Sequence, residues 1–367
     1  MSKHASSNQA SSHTPTSLTI GIVPLTDCAP IVAAAELGFY AEEGLDVRLT
    51  REPSWAGLRD KLAFGLLDAA QLLAPMLPAM ALGLTGAGRH PVVSALGLGT
   101  GGNAITLGAP LVAELDEPLA TDHPVDASVL RPVIERRFDD GRPPLTFGVV
   151  FPFSMHHYLL RSWLGAGGID VNAEVTLKVV PPPQVADQLE LGALDGFCVG
   201  EPWNSVAVQR GVGRTVVAGV ELMPEAPEKV LAVGAAFAEE QRTTHAALIR
   251  ATLRGCRWCG ESANVDRLAA LLAPHVAVDV AELLPALRER LPVNRQTDRP
   301  VPGMYRPLDV EHNRPRPDHA GLLLDLMNEA GQLDDPRDEL PSAEQLLRPD
   351  LFDDAVRKLD VGDALSV

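Results

Sequence analysis

The stretch LTFGVVFPFSMHHYLLRSWLGAGG, residues 145–168, contains one complete strand–helix unit. Its first seven residues form a nearly continuous apolar run, which is typical of a strand buried on both faces. Ser154 is a favoured residue at a helix N-terminus, and apolar residues recur after it with helical spacing. The stretch therefore predicts a buried strand over 145–151 followed by a helix over 154–168.

The same alternation of strand and helix continues on both sides of this unit. Helical patterns separate most of the other strand-like runs, which are residues 18–25, 45–50, 67–73, 91–98, 103–108, 175–181, 195–200 and 229–237. Such alternation predicts mostly parallel sheets with helices on both faces. Ligands of such sheets bind where strands end and helices begin, which points to three junctions, residues 24–29, 52–55 and 152–156.

The length of the chain, 367 residues, exceeds that of one average core and suits two lobes. We predict an α/β, bilobal protein with two mostly parallel sheets and a ligand cleft between the lobes. The predicted organisation is a disordered leader over 1–17, lobe I over 18–110 plus 225–330, lobe II over 111–224, and a C-terminal helical extension over 331–367.

Composition and charge restrict the class of partner. The chain carries 31 basic and 48 acidic residues, a net charge of −17, with a pI near 5.0. An acidic surface argues against direct contact with nucleic acid or with an anionic membrane. The first 17 residues lack the apolar core of a secretion signal, and no uncharged apolar stretch reaches about 18 residues. The expectation is a cytoplasmic protein without a membrane-spanning helix.

Four cysteines are present, and two of them form the CxxC motif CRWC, residues 256–259. The motif lies inside a long helical run rather than after a strand, and no second CxxC completes a zinc site. We therefore expect reduced thiols on a helix, and neither a metal site nor a cofactor.

The adjacent histidines of the opening stretch face different ways. His156 shares an inward stripe with Leu160 and Trp163, whereas His157 shares an outer face with Arg161. Adjacent histidines diverge on a helix, so a shared metal is disfavoured. A general base is possible, but no nucleophile motif is found in the sequence. A satisfied core histidine and a hydrogen-bond donor to an anion both remain open for His156.

Four motifs resemble one known family. They are TDCAPIVAAAELGFYAEEGLDV (26–47), WAGLRDKLAFGLLDAAQLLAPM (55–76), VVPPPQVADQLELGALDGFCVGEPWN (179–204) and PEKVLAV (227–233). Over roughly residues 18–260 the chain is similar to the NrtA-like nitrate-binding proteins of ABC transporters. The resemblance implies the type II periplasmic-binding-protein fold and a protein that binds its ligand without acting as an enzyme.

The resemblance also implies a ligand site. Its residues would be Trp55, Gly102, Asn103, His156 and Lys229. Asn103 stands where the family has a longer glutamine. Lysine at position 229 favours nitrate or nitrite, because a bicarbonate-binding relative is expected to carry an acidic residue there, with calcium.

Because no secretion signal is recognised, the chain resembles the cytoplasmic NasS-type sensors within the family. That likeness implies a nitrate/nitrite sensor that holds an ANTAR-type RNA antiterminator (NasT-like) and releases it when ligand binds. One alternative is the substrate-binding component of a nitrate ABC transporter. Another is an enzyme like the thiamine-pyrimidine synthases, which share the fold, although their cysteine-rich iron motif is not found here.

Overall fold

The computed structural model describes residues 15–308, 313–333 and 340–357. The strands are β1 (Thr16–Ile22), β2 (Leu45–Arg51), β3 (Ala69–Leu73), β4 (Val92–Gly97), β5 (Thr100–Gly101), β6 (Asn103–Gly108), β7 (Leu145–Val149), β8 (Val175–Val179), β9 (Gly196–Gly200), β10 (Gly213–Ala218), β11 (Lys229–Gly234), β12 (Arg290–Asn294), β13 (Thr297–Pro300) and β14 (Tyr305–Arg306). The helices are α1 (Ala29–Glu36), α2 (Phe39–Glu42), α3 (Trp55–Ala63), α4 (Met76–Leu82), α5 (Ala109–Glu114), α6 (Arg131–Asp139), α7 (Met155–Ala166), α8 (Val185–Glu190), α9 (Trp203–Arg210), α10 (Gly219–Leu222), α11 (Ala235–Glu240), α12 (Arg242–Gly260), α13 (Val265–Val276), α14 (Val280–Leu287), α15 (Pro317–Glu329), α16 (Ala343–Leu346) and α17 (Pro349–Val356).

Two five-stranded sheets form the centres of the two lobes. The first has the order β2-β1-β3-β11-β4, and the second has the order β10-β6-β9-β7-β8. In the first sheet only β11 is antiparallel to its neighbours, and in the second only β6 is. The prediction of two mostly parallel sheets is therefore confirmed.

The two antiparallel strands bring distant residues to the cleft. A strand that runs against its neighbours begins at the edge where those neighbours end. Asn103 and Lys229, the first residues of β6 and β11, thus lie at the carboxyl edges of the two sheets. Helices that follow parallel strands begin at the same edges.

The predicted lobe boundaries need two corrections. Residues 103–108 were assigned to lobe I, but β6 pairs with β9 and β10 in the second sheet. The chain therefore crosses between the lobes before Asn103. The hairpin β12–β13 was also assigned to lobe I, yet β12 packs against α9 and β10 of the second lobe.

The chain ends also differ from the prediction. The first strand begins at Thr16, so the predicted leader overlaps it, while residues 1–14 lie outside the described residues. Helices α16 and α17 fall within the predicted C-terminal extension and pack on β4. Residues 334–339 and 358–367 of that extension lie outside the described residues.

Local signals in the opening stretch are confirmed. The hydroxyl of Ser154 accepts a hydrogen bond from the His157 backbone N–H at 3.1 Å, which fixes the start of α7. His156, Leu160 and Trp163 are buried on one face of this helix, and His157 is half-buried.

All four cysteines are buried free thiols, and the CxxC pair lies on α12 as predicted. Burial raises the pKa of Cys256 to about 12, so its thiol is protonated at neutral pH. Across the described ranges no helix is both long and apolar enough to cross a lipid bilayer. The same residues contain no group of three or more His, Cys, Asp or Glu side chains that could hold a metal ion.

Candidate functional site

Trp55 is the first residue of α3, shortly after β2 ends. The Ser54 hydroxyl accepts from the Gly57 backbone N–H at 3.2 Å and caps this helix. The Trp55 side chain is fully buried, and its Nε1 has no hydrogen-bond partner among the described residues. An unpaired buried donor costs about 1–3 kcal/mol, so the indole N–H is suited to an acceptor supplied by a ligand.

His156 lies in the first turn of α7 and is also fully buried. Neither ring nitrogen has a hydrogen-bond partner within the described ranges. Burial, followed by the nearby charge of Lys229, holds the pKa of His156 well below its ordinary value. The imidazole is therefore neutral at physiological pH and offers one donor and one acceptor. Its unpaired state argues against the satisfied core histidine.

Lys229 supplies a buried positive charge beside these groups. Its Nζ lies 2.8 Å from Oδ2 of Asp27, 3.0 Å from Oδ1 of Asn103 and 3.3 Å from Oε2 of Glu228. Burial alone would lower the pKa of Lys229, but Asp27 and then Glu228 more than offset that effect and raise it. The ammonium is charged, and two carboxylates already surround it.

Asn103 connects the two lobes through the polar cluster that it forms with Asp27, Glu228 and Lys229. Its Nδ2 donates to Oε2 of Glu228 at 2.6 Å while its Oδ1 accepts from Lys229. Gly102, the preceding residue, has a φ of 89°, a conformation that favours glycine. Its carbonyl accepts from the Glu201 backbone N–H at 2.7 Å.

Of the five predicted residues, the structure thus joins Asn103 and Lys229 directly, with Gly102 next in the chain. His156 lies close enough to Lys229 for the lysine charge to lower its pKa. Helix α3, which carries Trp55, packs against β11, the strand that begins with Lys229. Their role in binding a ligand stays a prediction.

Three polar residues of the cluster were not predicted. Asp27 and Glu228 flank Lys229, and Gln71 orients Asp27 by donating from Nε2 to its Oδ1. Gln71 is itself held by the Val23 backbone N–H, which donates to Oε1 at 2.8 Å. Asp27 lies in the strand–helix junction 24–29. The sequence predicted that this junction lies near the ligand, but it did not predict that Asp27 pairs with Lys229.

Further contacts fasten the lobes beneath the cluster. The Trp203 indole donates to the Pro24 carbonyl at 2.8 Å, and the Thr26 backbone N–H donates to the Glu201 carbonyl at 2.8 Å. Oε2 of Glu201 accepts from the backbone N–H of Ser205, in the first turn of α9, at 3.1 Å. Burial raises the pKa of Glu201 to about 7.

The segment before His156 is held from two sides. The Arg59 guanidinium of the first lobe lies 5.6 Å from the centre of the Phe151 ring. Gln332, just after α15, donates to the Pro152 carbonyl at 3.0 Å and accepts from the Tyr158 hydroxyl at 2.7 Å. Because α15 packs against α4 of the first lobe, the C-terminal segment bridges both lobes.

Comparisons with known proteins agree with this architecture. The NMT1-like family model matches residues 11–273. The bicarbonate transport ATP-binding protein CmpC of Synechococcus elongatus is 36% identical over 355 residues, 95% of this chain and 50% of that protein. The nitrate import ATP-binding protein NrtC of Synechocystis sp. is 34% identical over 346 residues, 93% of this chain and 50% of that protein.

A solved structure supports the same relationship. The crystal structure of the periplasmic nitrate-binding protein NrtA from Synechocystis matches with a TM-score of 0.86 and 25% identity, over 95% of this chain and 90% of that one. The predicted NrtA-like resemblance and the bilobal binding-protein fold are thereby confirmed. The chain spans about half the length of the curated transport proteins named above.

Proposed function

Because the chain belongs to the NMT1-like family, we propose that it binds nitrate or nitrite in the cleft between its lobes and catalyses no reaction. The observation that carries this proposal is the pair of buried, unpaired side chains of Trp55 and His156 beside the charged Lys229. Both side chains stand at helix N-termini, where the helix dipole favours an anion.

The chemistry of the site suits a small oxyanion. Nitrate offers only hydrogen-bond acceptors and one negative charge, and the indole N–H, an imidazole N–H and an ammonium are complementary to it. The flat indole also provides a wall for a planar ligand. The names of NrtA and NrtC, which refer to nitrate, support the same ligand class.

Bicarbonate is the competing ligand, because CmpC, the relative that is 36% identical, is named for bicarbonate transport. Bicarbonate is also planar but carries its own proton, which a carboxylate such as Glu228 could accept. Calorimetric titrations with nitrate, nitrite, bicarbonate and chloride separate these ligands. We expect saturable binding of nitrate or nitrite and none of chloride. Binding of bicarbonate alone, or of no anion, would contradict the proposal.

At a finer level, we propose that the protein is a sensor of the NasS type that controls an ANTAR-type antiterminator in the cytoplasm, where such a partner acts. The net charge of −17 supports a basic protein partner rather than RNA as the bound molecule. Ligand can release the partner only through a difference in affinity between free and partner-bound forms, typically about 1–3 kcal/mol.

The alternative role is the substrate-binding component of a nitrate transporter, and the names of CmpC and NrtC, both transport proteins, favour it. Titrating the antiterminator into the protein with and without nitrate distinguishes the two. A sensor should lose affinity for the antiterminator by about 5- to 150-fold in nitrate. Unchanged affinity would contradict the sensor while leaving anion binding intact.

A further inference from the structure

The charge of the cluster around Lys229 creates a problem for anion binding. Lys229 faces the two carboxylates of Asp27 and Glu228, all of them almost completely buried. With both carboxylates ionised, the cluster carries a net charge of −1 before any ligand arrives. A bound anion would take that charge to −2. Uncompensated buried charge is costly, and such sites relieve the cost by changing protonation.

The two carboxylates differ in how many of their oxygens have a hydrogen-bond donor. Asp27 accepts from Lys229 on Oδ2 and from Gln71 on Oδ1, so both of its oxygens have donors. The hydrogen bonds of Glu228 within the described residues all fall on Oε2, which accepts from Asn103 and Lys229. Oε1 of Glu228 is therefore the oxygen that can carry a proton.

The surroundings of Glu228 agree with this choice. Burial raises the pKa of Glu228, against the opposing effects of Lys229 and Asn103. Other titratable or charged groups near the cluster are Asp27, Lys229, the neutral His156, the buried thiols of Cys28 and Cys198, the Tyr305 hydroxyl, and His319, which lines the cavity beside Glu228. A cavity of about 20 Å³ is lined by Glu228 and Lys229 and has room for one water molecule beside the carboxyl group.

We propose that Glu228 takes up one proton from solvent when the cleft binds its anion. The proton adds to Oε1, and the net charge of the cluster plus ligand is then −1 both before and after binding. This inference rests on the proposed anion-binding function and adds a coupling to it. Since nitrate itself does not titrate near neutral pH, any change of its affinity with pH reports on the protein.

The coupling has a defined sign. Above the pKa that Glu228 has in the free protein, binding must include protonation, so nitrate affinity falls as pH rises, by up to about tenfold per pH unit. The fall ends above the higher pKa that Glu228 has in the nitrate-bound protein.

Proton uptake can be counted by titrating nitrate into the full chain in buffers of different ionisation enthalpy, from about pH 6 to about pH 9. We expect wild type to take up as much as about one proton per nitrate at the pH of largest uptake. Glu228→Gln should bind nitrate with little uptake and little dependence on pH. Glu201→Gln is the matched control, because Glu201 is also a buried carboxyl of raised pKa, and it should behave as wild type.

Three outcomes separate the claims. Nitrate binding by wild type without proton uptake at any pH would overturn the coupling and leave the proposed function standing. Undiminished uptake in Glu228→Gln would assign the proton to another group and overturn the role of Glu228. No nitrate binding by folded wild type would overturn the proposed function and, with it, this inference.

A measurement on wild type alone covers the case in which Glu228→Gln does not fold. An infrared difference spectrum recorded on nitrate addition should show a carboxylate band lost and a protonated carboxyl band gained. Absence of that exchange at a pH where nitrate binds and Glu228 starts ionised would contradict the inference.

Discussion

At the scale of single residues, the sequence predicted the burial of a side chain such as His156 better than it predicted which side chains pair with one another. The helix-start position of His156 follows from a local pattern, and the structure confirms its burial. The compensation of Lys229 by Asp27 could not be predicted, since these residues are far apart in the chain and meet only through the fold. The sequence therefore indicates a cation at position 229 but not the charge of its surroundings.

The buried ion pair makes a strong prediction for stability. Lys229→Met leaves Asp27 and Glu228 buried without their cation, which should lower the free energy of unfolding by about 3–5 kcal/mol. Adding Asp27→Asn removes one of the stranded charges and should restore part of that loss. Urea unfolding of both variants measures this, and a double variant no more stable than the single one would refute the pairing.

Glu201 predicts a pH dependence. Its pKa rises from 4.5 to about 7 on folding, so its stabilising contribution is complete below 4.5 and is lost as pH rises through 7. The free energy of unfolding should fall by about 3 kcal/mol over this pH range. Glu201→Gln keeps an acceptor for the Ser205 N–H but does not titrate. Urea unfolding should show that the free energy of unfolding falls more between pH 4.5 and pH 8 in wild type than in the variant. Equal decreases in the two proteins would contradict the assignment.

At the scale of elements, helix starts were predictable and sheet membership was not. Ser54 and Ser154 are local capping signals, and both helices begin where those residues indicate. The strand at 103–108 was recognised but assigned to the wrong sheet, because its partners β9 and β10 lie about a hundred residues later. Strand direction and pairing depend on long-range contacts that a local pattern does not contain.

The start of α7 offers a test at this scale. The Ser154 hydroxyl accepts from the His157 N–H and donates to the Phe151 carbonyl at 2.6 Å, so it ties the helix to the preceding loop. Ser154→Ala should lower the free energy of unfolding by about 1–2 kcal/mol and weaken nitrate binding, because His156 follows two residues later. Ser154→Thr should recover much of the stability, measured by chemical unfolding, and much of the nitrate affinity, measured by calorimetry. Wild-type behaviour of the alanine variant would contradict this.

At the scale of the whole molecule, the bilobal form followed from strand–helix alternation and from motifs over residues 18–260. The role of the C-terminal segment did not, because nothing in its sequence indicates that Gln332 contacts the loop before His156. In the structure this segment packs on the first lobe through α15 and bonds the second lobe through Gln332. We expect these contacts to resist opening of the cleft.

Gln332→Ala should therefore speed the release of nitrate. It removes the hydrogen bonds to Pro152 and Tyr158, each worth about 0.5–1.5 kcal/mol, and we expect dissociation to be several-fold to tenfold faster. Stopped-flow displacement of bound nitrate measures this rate. Gln209→Ala is the matched control, since that amide makes an exposed bond to the Ala281 carbonyl. Equal rates in both variants would refute a bridging role.

Anion binding, as proposed, depends on His156 and Trp55 donating hydrogen bonds to an oxyanion beside Lys229. The most direct test is a calorimetric titration of nitrate into wild type, His156→Ala and His157→Ala. Losing the buried donor should weaken binding by about 1.5–3 kcal/mol, roughly 10- to 150-fold, while the half-buried neighbour should have little effect. Equal nitrate affinity in all three folded proteins, or loss of binding only in His157→Ala, would contradict the assignment of the site.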